Sequence, residues 1–338
     1  MPDGRSDRVN IAIAGYGWWG QHMVRRLSEN PNIRPVLVID PAEDRRKLAG
    51  EHGVRTTADL DAALADPEIT AVVLTTPNTM HEAQVVAAAA AGKHVFCEKP
   101  LGLTGASARR SVAACEAAGV VLGIGHERRF EPALMKVRAL VEEGALGTVM
   151  HAEAAFSHDK LINVPAGDWR TSKAVSPAAG MTAMGIHLTD LYISLFGRVR
   201  TVQALTASRI LGWETGDVVT VQLGFEAGMT ASLSAVLATP HFIRLHVFGS
   251  DQWVEVRNDT HPDTPGGIAE LVLSRTGAAP ETERYDWTDT VVANLEAFAA
   301  GIRGEAAYPY TSEELVHNIE VLEAIAQSAE GGETIHLG

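Results

Sequence analysis

A glycine loop, a lysine and a histidine stand out as residues whose spacing could do chemistry. Residues 9–20 read VNIAIAGYGWWG, with Gly15, Gly17 and Gly20 as G-x-G-x-x-G between a strand pattern and a helical one. In that setting the first glycine allows a tight turn and the second lets backbone approach a pyrophosphate. The third permits close helix–strand packing, and the helix N-terminus faces the anion. Asp40 ends the next strand pattern, 20 residues beyond Gly20, where a carboxylate accepts hydrogen bonds from an adenosine ribose. Such a carboxylate repels a 2′-phosphate, so NAD is expected over NADP. Arg45 and Arg46 lie just behind, soften that preference and leave NADP open. Gly15, Tyr16, Gly17, Trp18, Trp19, Gly20 and Asp40 are the candidate cofactor positions here.

Two further stretches end strand patterns. In TTPNTMHEAQ (75–84), Thr76, Pro77, Asn78 and His81 are placed to border a cofactor at the carboxyl end of a strand. An ordinary Pro-Asn turn, with Thr79 capping the next helix, reads equally well. In HVFCEKPLGLT (94–104), Pro100 stops the strand and biases Lys99 to an extended conformation. Glu98 and Lys99 then either point at the cofactor or form a solvated strand end. Finally, AGMTAMGIHLTDL (179–191) sets His187 and Asp190 in an apolar helical pattern. His187 is a core residue or a catalyst, and the position one turn before it is Ala183.

The elements that must hold these residues alternate through the first third of the chain. Strand patterns at 9–14, 35–39, 71–75, 95–97 and 120–124 are followed by helical ones at 21–30, 40–50, 60–65, 81–91 and 107–118. Continuous apolar strands between helices indicate a parallel sheet covered on both faces. After residue 125 come a helix at 132–143 and longer alternating strands at 149–156, 201–208, 218–225, 229–237 and 242–247. Those read as an open, mostly antiparallel sheet. Residues 258–267 read as loop, and helices are expected at 291–302 and 312–328. The expected architecture is α/β: a doubly wound parallel sheet over 1–125 and a second α/β domain over 126–338, its C-terminal helix free to pack back on the first.

Composition narrows the function. The chain has 338 residues, 46% of them hydrophobic, and a formal net charge of −14 without an acidic block. A nucleic-acid binder needs a basic stripe, which is absent. The first residues lack a signal-peptide core, and the longest apolar run falls far short of the roughly 20 residues of a membrane span. The two cysteines, Cys97 and Cys115, fit buried thiols in a reducing cytoplasm. Thirteen histidines are present, but no H-E-x-x-H or clustered Cys/His spacing, so no metal is expected.

The order and spacing of AGYGWWG, TPNTMH, CEKP, GHERRFEP and the glycine–histidine helix resemble the Gfo/Idh/MocA oxidoreductases over nearly the whole chain. The resemblance implies an N-terminal Rossmann domain and a C-terminal domain whose open sheet commonly builds homodimers or homotetramers. It implies hydride transfer between nicotinamide and a carbinol carbon of a sugar, cyclitol or related polyol. Lys99 then matches the active-site lysine, Glu98 a cofactor-contacting glutamate and Pro100 a proline often in a cis peptide. His187 matches the family's active-site histidine, and Trp169 and Arg170 a pair near nicotinamide or substrate. Arg128 and Arg129 match the arginines that enter the second domain. Ala183 departs from the pattern, since many members carry an aspartate there. Asp190, three residues after His187, shares roughly its helix face.

Oxidising a secondary alcohol requires a base for the hydroxyl proton. A reference lysine titrates near 10.4, too high for that task unless desolvation or the charge of oxidised nicotinamide lowers it. Histidine's ordinary value near 6.5 suits proton relay. Lys99 and His187 are therefore expected to share the proton, with water or Asp190 standing in for the carboxylate missing at 183. Candidate substrate-lining residues are Arg129, His158, Asp168, Trp169, Arg170, Met184 and His187. The arginines could equally form salt bridges. Two other readings keep the dinucleotide: a glycosidase acting by transient oxidation, and a non-catalytic sensor.

Overall fold

The computed structural model describes residues 8–165 and 167–338. The chain forms two compact units. One takes the chain up to Gly102, then Ala106–Gly125 and Val291–Leu315. The other takes Leu103–Gly105, His126–Thr290 and Val316–Gly338.

The first unit alternates strands and helices. They are β1 (Val9–Ala14), α1 (Trp18–Leu27), β2 (Ile33–Ile39), α2 (Glu43–Glu51), β3 (Arg55–Thr57), α3 (Leu60–Ala65), β4 (Ala71–Leu74), α4 (His81–Ala90), β5 (His94–Cys97), α5 (Gly105–Ala118) and β6 (Leu122–Ile124). The strands pair in parallel in the order β3-β2-β1-β4-β5-β6. Strand order reverses between β1 and β4, and such sheets bind ligands outside the carboxyl ends at that point. β4 reads AVVL and is buried at every residue, as a strand covered on both faces must be.

The second unit contains α6 (Pro132–Glu142), β7 (Val149–Ser157), α7 (Ile186–Phe196), β8 (Val199–Ala207), β9 (Val218–Phe225), β10 (Thr230–Val236), β11 (Phe242–Gly249), β12 (Gln252–Asn258), β13 (Ile268–Arg275) and β14 (Glu281–Asp286). After α8 (Thr290–Arg303), α9 (Ser312–Gly331) and β15 (Ile335–His336) end the chain. The sheet order is β14-β13-β12-β11-β7-β10-β9-β8-β15. One face is apolar: in β9, Val219, Val221, Leu223 and Phe225 are buried while Thr220 and Gln222 are exposed. The sheet is antiparallel except where β7 and β10 run parallel.

α8 belongs to the first unit. It sends Val291, Leu295, Phe298 and Ala299 into the core formed by Val9, Ile11, Ile13, Val73 and Phe96. The Phe96 and Phe298 rings meet edge-on at 5.5 Å. Asn294 donates to the Ile124 carbonyl at 2.8 Å, and Glu296 accepts from Asn30 and Asn32. Burying a side chain such as Phe298 contributes about 1.5–3 kcal/mol, so this helix is part of the sheet's support.

Several boundaries differ from the sequence expectation. α1 begins at Trp18, because the glycine turn is shorter than the pattern suggested. β3 and β12–β15 were not expected. β14 reads ETERYD and is exposed at nearly every residue, so no apolar alternation marks it. Among the described residues no helix is long and apolar enough to cross a membrane.

Candidate active site

In the first unit the candidate residues lie at the carboxyl ends of β1, β2, β4 and β5. Gly15 has φ +92°, a left-handed conformation that side chains rarely adopt. A Cβ there would come 2.8 Å from the Thr75 carbonyl, and one on Gly20 would strike the Gly15 carbonyl oxygen. Gly17 differs: a Cβ on it would meet nothing within 4 Å. It stands at the N-cap of α1, whose first turn holds no acidic residue and no side-chain cap. Its open approach to uncapped helix N–H groups fits a dinucleotide pyrophosphate.

Asp40 is 1% exposed. Its Oδ2 accepts from the Tyr16 N–H at 2.7 Å and its Oδ1 from Ala42 N–H at 2.9 Å. A carboxylate has about four acceptor positions, so capacity for a ribose hydroxyl is left. Arg45 Nη1 lies 3.5 Å from Oδ2, and Arg46 Nη1 donates to the carbonyls of Asp40 and Pro41. The Tyr16 side chain turns into the core, whereas Trp18 is 63% exposed. The Trp18, Trp19 and His22 rings stack with centroids 5.2–5.3 Å apart.

The Thr76 and Pro100 turns are tied together by His81. Its Nδ1 is 2.7 Å from the Pro100 carbonyl and its Nε2 is 2.9 Å from that of Thr76. Two acceptors would favour a charged ring, yet burial lowers its pKa more than they raise it. We take the ring as neutral, because the desolvation cost of a fully buried charge exceeds one hydrogen bond. Asn78 and Glu98 are buried. Lys99 donates its backbone N–H to Glu98 Oε2 at 3.3 Å, and the Lys99–Pro100 peptide is cis. Gly125 lets the Glu98 carboxylate pack against the chain, since a Cβ there would overlap it. Cys97 and Cys115 are buried, and burial raises both thiols, Cys115 to about 11.

In the second unit His187 lies in the first turn of α7, 4% exposed. A π-helical turn, Met181–Gly185, leads into it, with Gly185 N–H donating five residues back to Gly180. Before that turn Ala178 and Ala179 have φ +56° and +51°, an unusual conformation for alanine. Met184 is 1% exposed, with its methyl against Gly180.

The carboxylate facing His187 is Glu127, its Oε2 4.0 Å from Nδ1. It comes from a 3-10 turn, Glu127–Phe130, whose two arginines the sequence singled out while its glutamate was passed over. Its neighbour His126 sets its ring 5.4 Å from that of His187. Asn318 on α9 donates to His126 Nε2 at 3.0 Å and accepts from Thr189 Oγ1 at 2.6 Å, bracing the start of α7. Asp190 instead holds Arg129: Nε donates to Oδ2 at 2.8 Å and Nη2 to Oδ1 at 2.7 Å, both side chains nearly fully buried. Trp169 carries Arg170 over its ring at 4.2 Å, and Arg170 pairs with Asp168 at 3.1 Å.

Known proteins resemble this chain in sequence and fold. A model described as oxidoreductase family, NAD-binding Rossmann fold, matches residues 9–126, and a GFO/IDH/MocA C-terminal domain model matches residues 134–255. The uncharacterized oxidoreductase YrbE of Bacillus subtilis is 32% identical, over 74% of this chain and 71% of its own. The inositol 2-dehydrogenase of Acidothermus cellulolyticus is 28% identical, over 84% of each chain. With three other curated relatives the match spans 54%, 61% and 39% of their lengths. The solved structure of GenD2 from gentamicin A biosynthesis, in complex with NAD, is 27% identical. It has a TM-score of 0.84 and covers 98% of this chain and 97% of its own. The chain therefore belongs to the Gfo/Idh/MocA family of oxidoreductases, with an NAD-binding Rossmann domain at its N-terminus.

Proposed function

We propose that this chain is an NAD(P)-dependent oxidoreductase that moves a hydride between nicotinamide and a secondary alcohol or carbonyl of a sugar, cyclitol or related polyol. The observation that carries the reading is the convergence, at the carboxyl ends of β1, β2, β4 and β5, of the glycine loop, Asp40, the Thr76–Pro77–Asn78 turn and Lys99. The similarity to an inositol 2-dehydrogenase supports the substrate class.

The cofactor, when bound, supplies the hydride-accepting carbon. The chain's own residues do the rest. The N–H groups at the start of α1 hold the pyrophosphate and Asp40 the ribose, which favours NAD. Glu98 and His81 fix the loops that carry Lys99 and Thr76. Lys99 takes the hydroxyl proton and His187 relays it. Glu127 orients His187 and stabilises its charged form, the task a carboxylate at position 183 would otherwise perform. Trp169 and Arg170 bind the substrate, while Arg129 holds Asp190 and through it the helix of His187.

A panel of polyols, aldoses and hydroxy acids, incubated with NAD and with NADP, tests the reading. Stoichiometric growth of the NADH band with at least one of them is expected. Tight NAD binding without net reduction by any compound would overturn it.

A further inference from the structure

The second unit gathers hydrogen-bond donors that the chain leaves unused. Arg128 is 3% exposed. Its Nε is 2.7 Å from Glu131 Oε1, and its Nη2 donates at 3.1 Å to both Glu131 Oε2 and Asn258 Oδ1. Its Nη1 is buried and without an acceptor. The guanidinium carbon stands 5.0 Å from the centre of the Phe156 ring. Against the same ring lie His158 at 5.8 Å and His261 at 5.6 Å, their own rings 5.2 Å apart. His241 follows, 6.4 Å from His261.

Local hydrogen bonds set the tautomers. His158 Nδ1 accepts the Lys160 N–H, and His261 Nδ1 accepts the Asp263 N–H, each at 3.2 Å. Both rings therefore carry their hydrogen on Nε2, where no described residue accepts it. His241 is no such donor: its Nε2 donates to the Asn258 carbonyl at 3.2 Å, so the buried Nδ1 of the neutral ring carries a lone pair and no hydrogen. Few carboxylates offset this. Glu131 is engaged by Arg128 and Asn258. Asp263 faces His261 at Nδ1, 3.4 Å away, not at Nε2. Asp159 is exposed, and Lys160 adds positive charge beside both rings. Of these donors Arg128 Nη1 is buried without an acceptor, which is costly, so a group that accepts from it stabilises the site. A metal does not suit it: no group of three His, Cys, Asp or Glu among the described residues could hold one.

We propose that Arg128 Nη1 and the Nε2–H groups of His158 and His261 form a subsite for an oxyanion, carboxylate or phosphate, borne by the substrate, so that the substrate is an acidic sugar or polyol. This rests on the oxidoreductase reading through His187, whose ring lies 6.0 Å from that of Phe156, the ring the cluster shares. An anion held by these donors stands one aromatic ring from the residue that handles the reacting hydroxyl. Charge-assisted hydrogen bonds to such an anion are stronger than neutral ones.

The test is binding to the full chain with NAD present, read by the ring resonances of the histidines. Inorganic phosphate and acetate are titrated first, then D-glucose 6-phosphate and D-glucuronate against D-glucose. Saturable shifts of His158 and His261 with at least one small oxyanion are expected. The acidic sugar of the same kind should bind at least tenfold more tightly than glucose, and the preferred one identifies the oxyanion. His158→Asn and His261→Asn should each weaken oxyanion binding about tenfold while NAD affinity, a property of the first unit, stays unchanged. No saturable shift, equal binding of glucose, or intact binding in both variants would overturn the subsite. Turnover is not needed, so oxyanion binding without any NADH formation would remove the oxidoreductase reading and leave the subsite standing.

Discussion

Glu127 Oε2 lies 4.0 Å from His187 Nδ1, and both side chains are nine-tenths buried or close to it. The acidic partner of this histidine comes from a turn 60 residues upstream, not from the preceding turn of its own helix. Removing it tests the arrangement. Glu127→Gln keeps the shape and loses the charge, and should slow hydride transfer at least tenfold, less than the roughly 10²–10⁴-fold of a group that transfers the proton itself. The measurement is single-turnover NADH formation, with melting temperature and NAD affinity as controls. A rate equal to that of the parent would show that Glu127 does not serve His187.

Lys99→Ala should reduce hydride transfer by two or more orders of magnitude and leave NAD binding nearly intact. Equilibrium titration with NAD separates the two effects. Unchanged turnover in this variant would end the assignment of Lys99.

The glycine loop predicts a contrast. At Gly17 a methyl group meets open space, so Gly17→Ala should fold with its stability changed by less than about 1 kcal/mol but bind NAD more weakly. At Gly20 the methyl meets the Gly15 carbonyl, which is backbone and cannot swing aside. Gly20→Ala should lose about 1–3 kcal/mol by overpacking. Urea unfolding of both variants, with and without NAD, checks this.

The pair of Arg129 and Asp190 should behave as a buried ion pair. Arg129→Ala strands a carboxylate and should cost about 3–5 kcal/mol, whereas Arg129→Met combined with Asp190→Leu should cost much less. Equal losses in urea unfolding would show that the pair is not coupled.

Burial, then Lys160 and His241, holds His158 down to about 4. Its folded value is below the ordinary value near 6.5, so between those limits the unfolded chain binds more protons. Stability is therefore fully present above about pH 6.5 and falls as pH drops toward 4, by at most about 1.4 kcal/mol per pH unit from this ring. His158→Asn should flatten the profile in that window. Parallel curves for the two proteins would refute the contribution.

Local signals in the sequence were enough for part of this picture. The glycine turn, the acid after β2 and the lysine after β5 each follow their own strand, so neighbouring residues announce them. Continuous apolar strands marked the parallel sheet for the same reason. Glu127 was hidden because its meaning depends on a turn placed by tertiary packing beside α7. Arg129 and Asp190 were legible as charged residues, but their mutual pairing was not. β12 and β13 alternate weakly, and β14 is nearly all exposed, so periodicity had little to register. Nor does periodicity report that a late helix fills an early core, as α8 does.

That last feature has a bearing on biosynthesis. On the ribosome, Phe298 of α8 is made 174 residues after Ile124, the end of β6. At 5–20 residues per second, the nascent sheet waits roughly 9–35 seconds for Leu295 and Phe298 to be added. During that interval Phe96 and its neighbours lack their final cover, which makes the half-made protein a natural client for chaperones. A fragment ending at residue 125 would stay in that condition permanently.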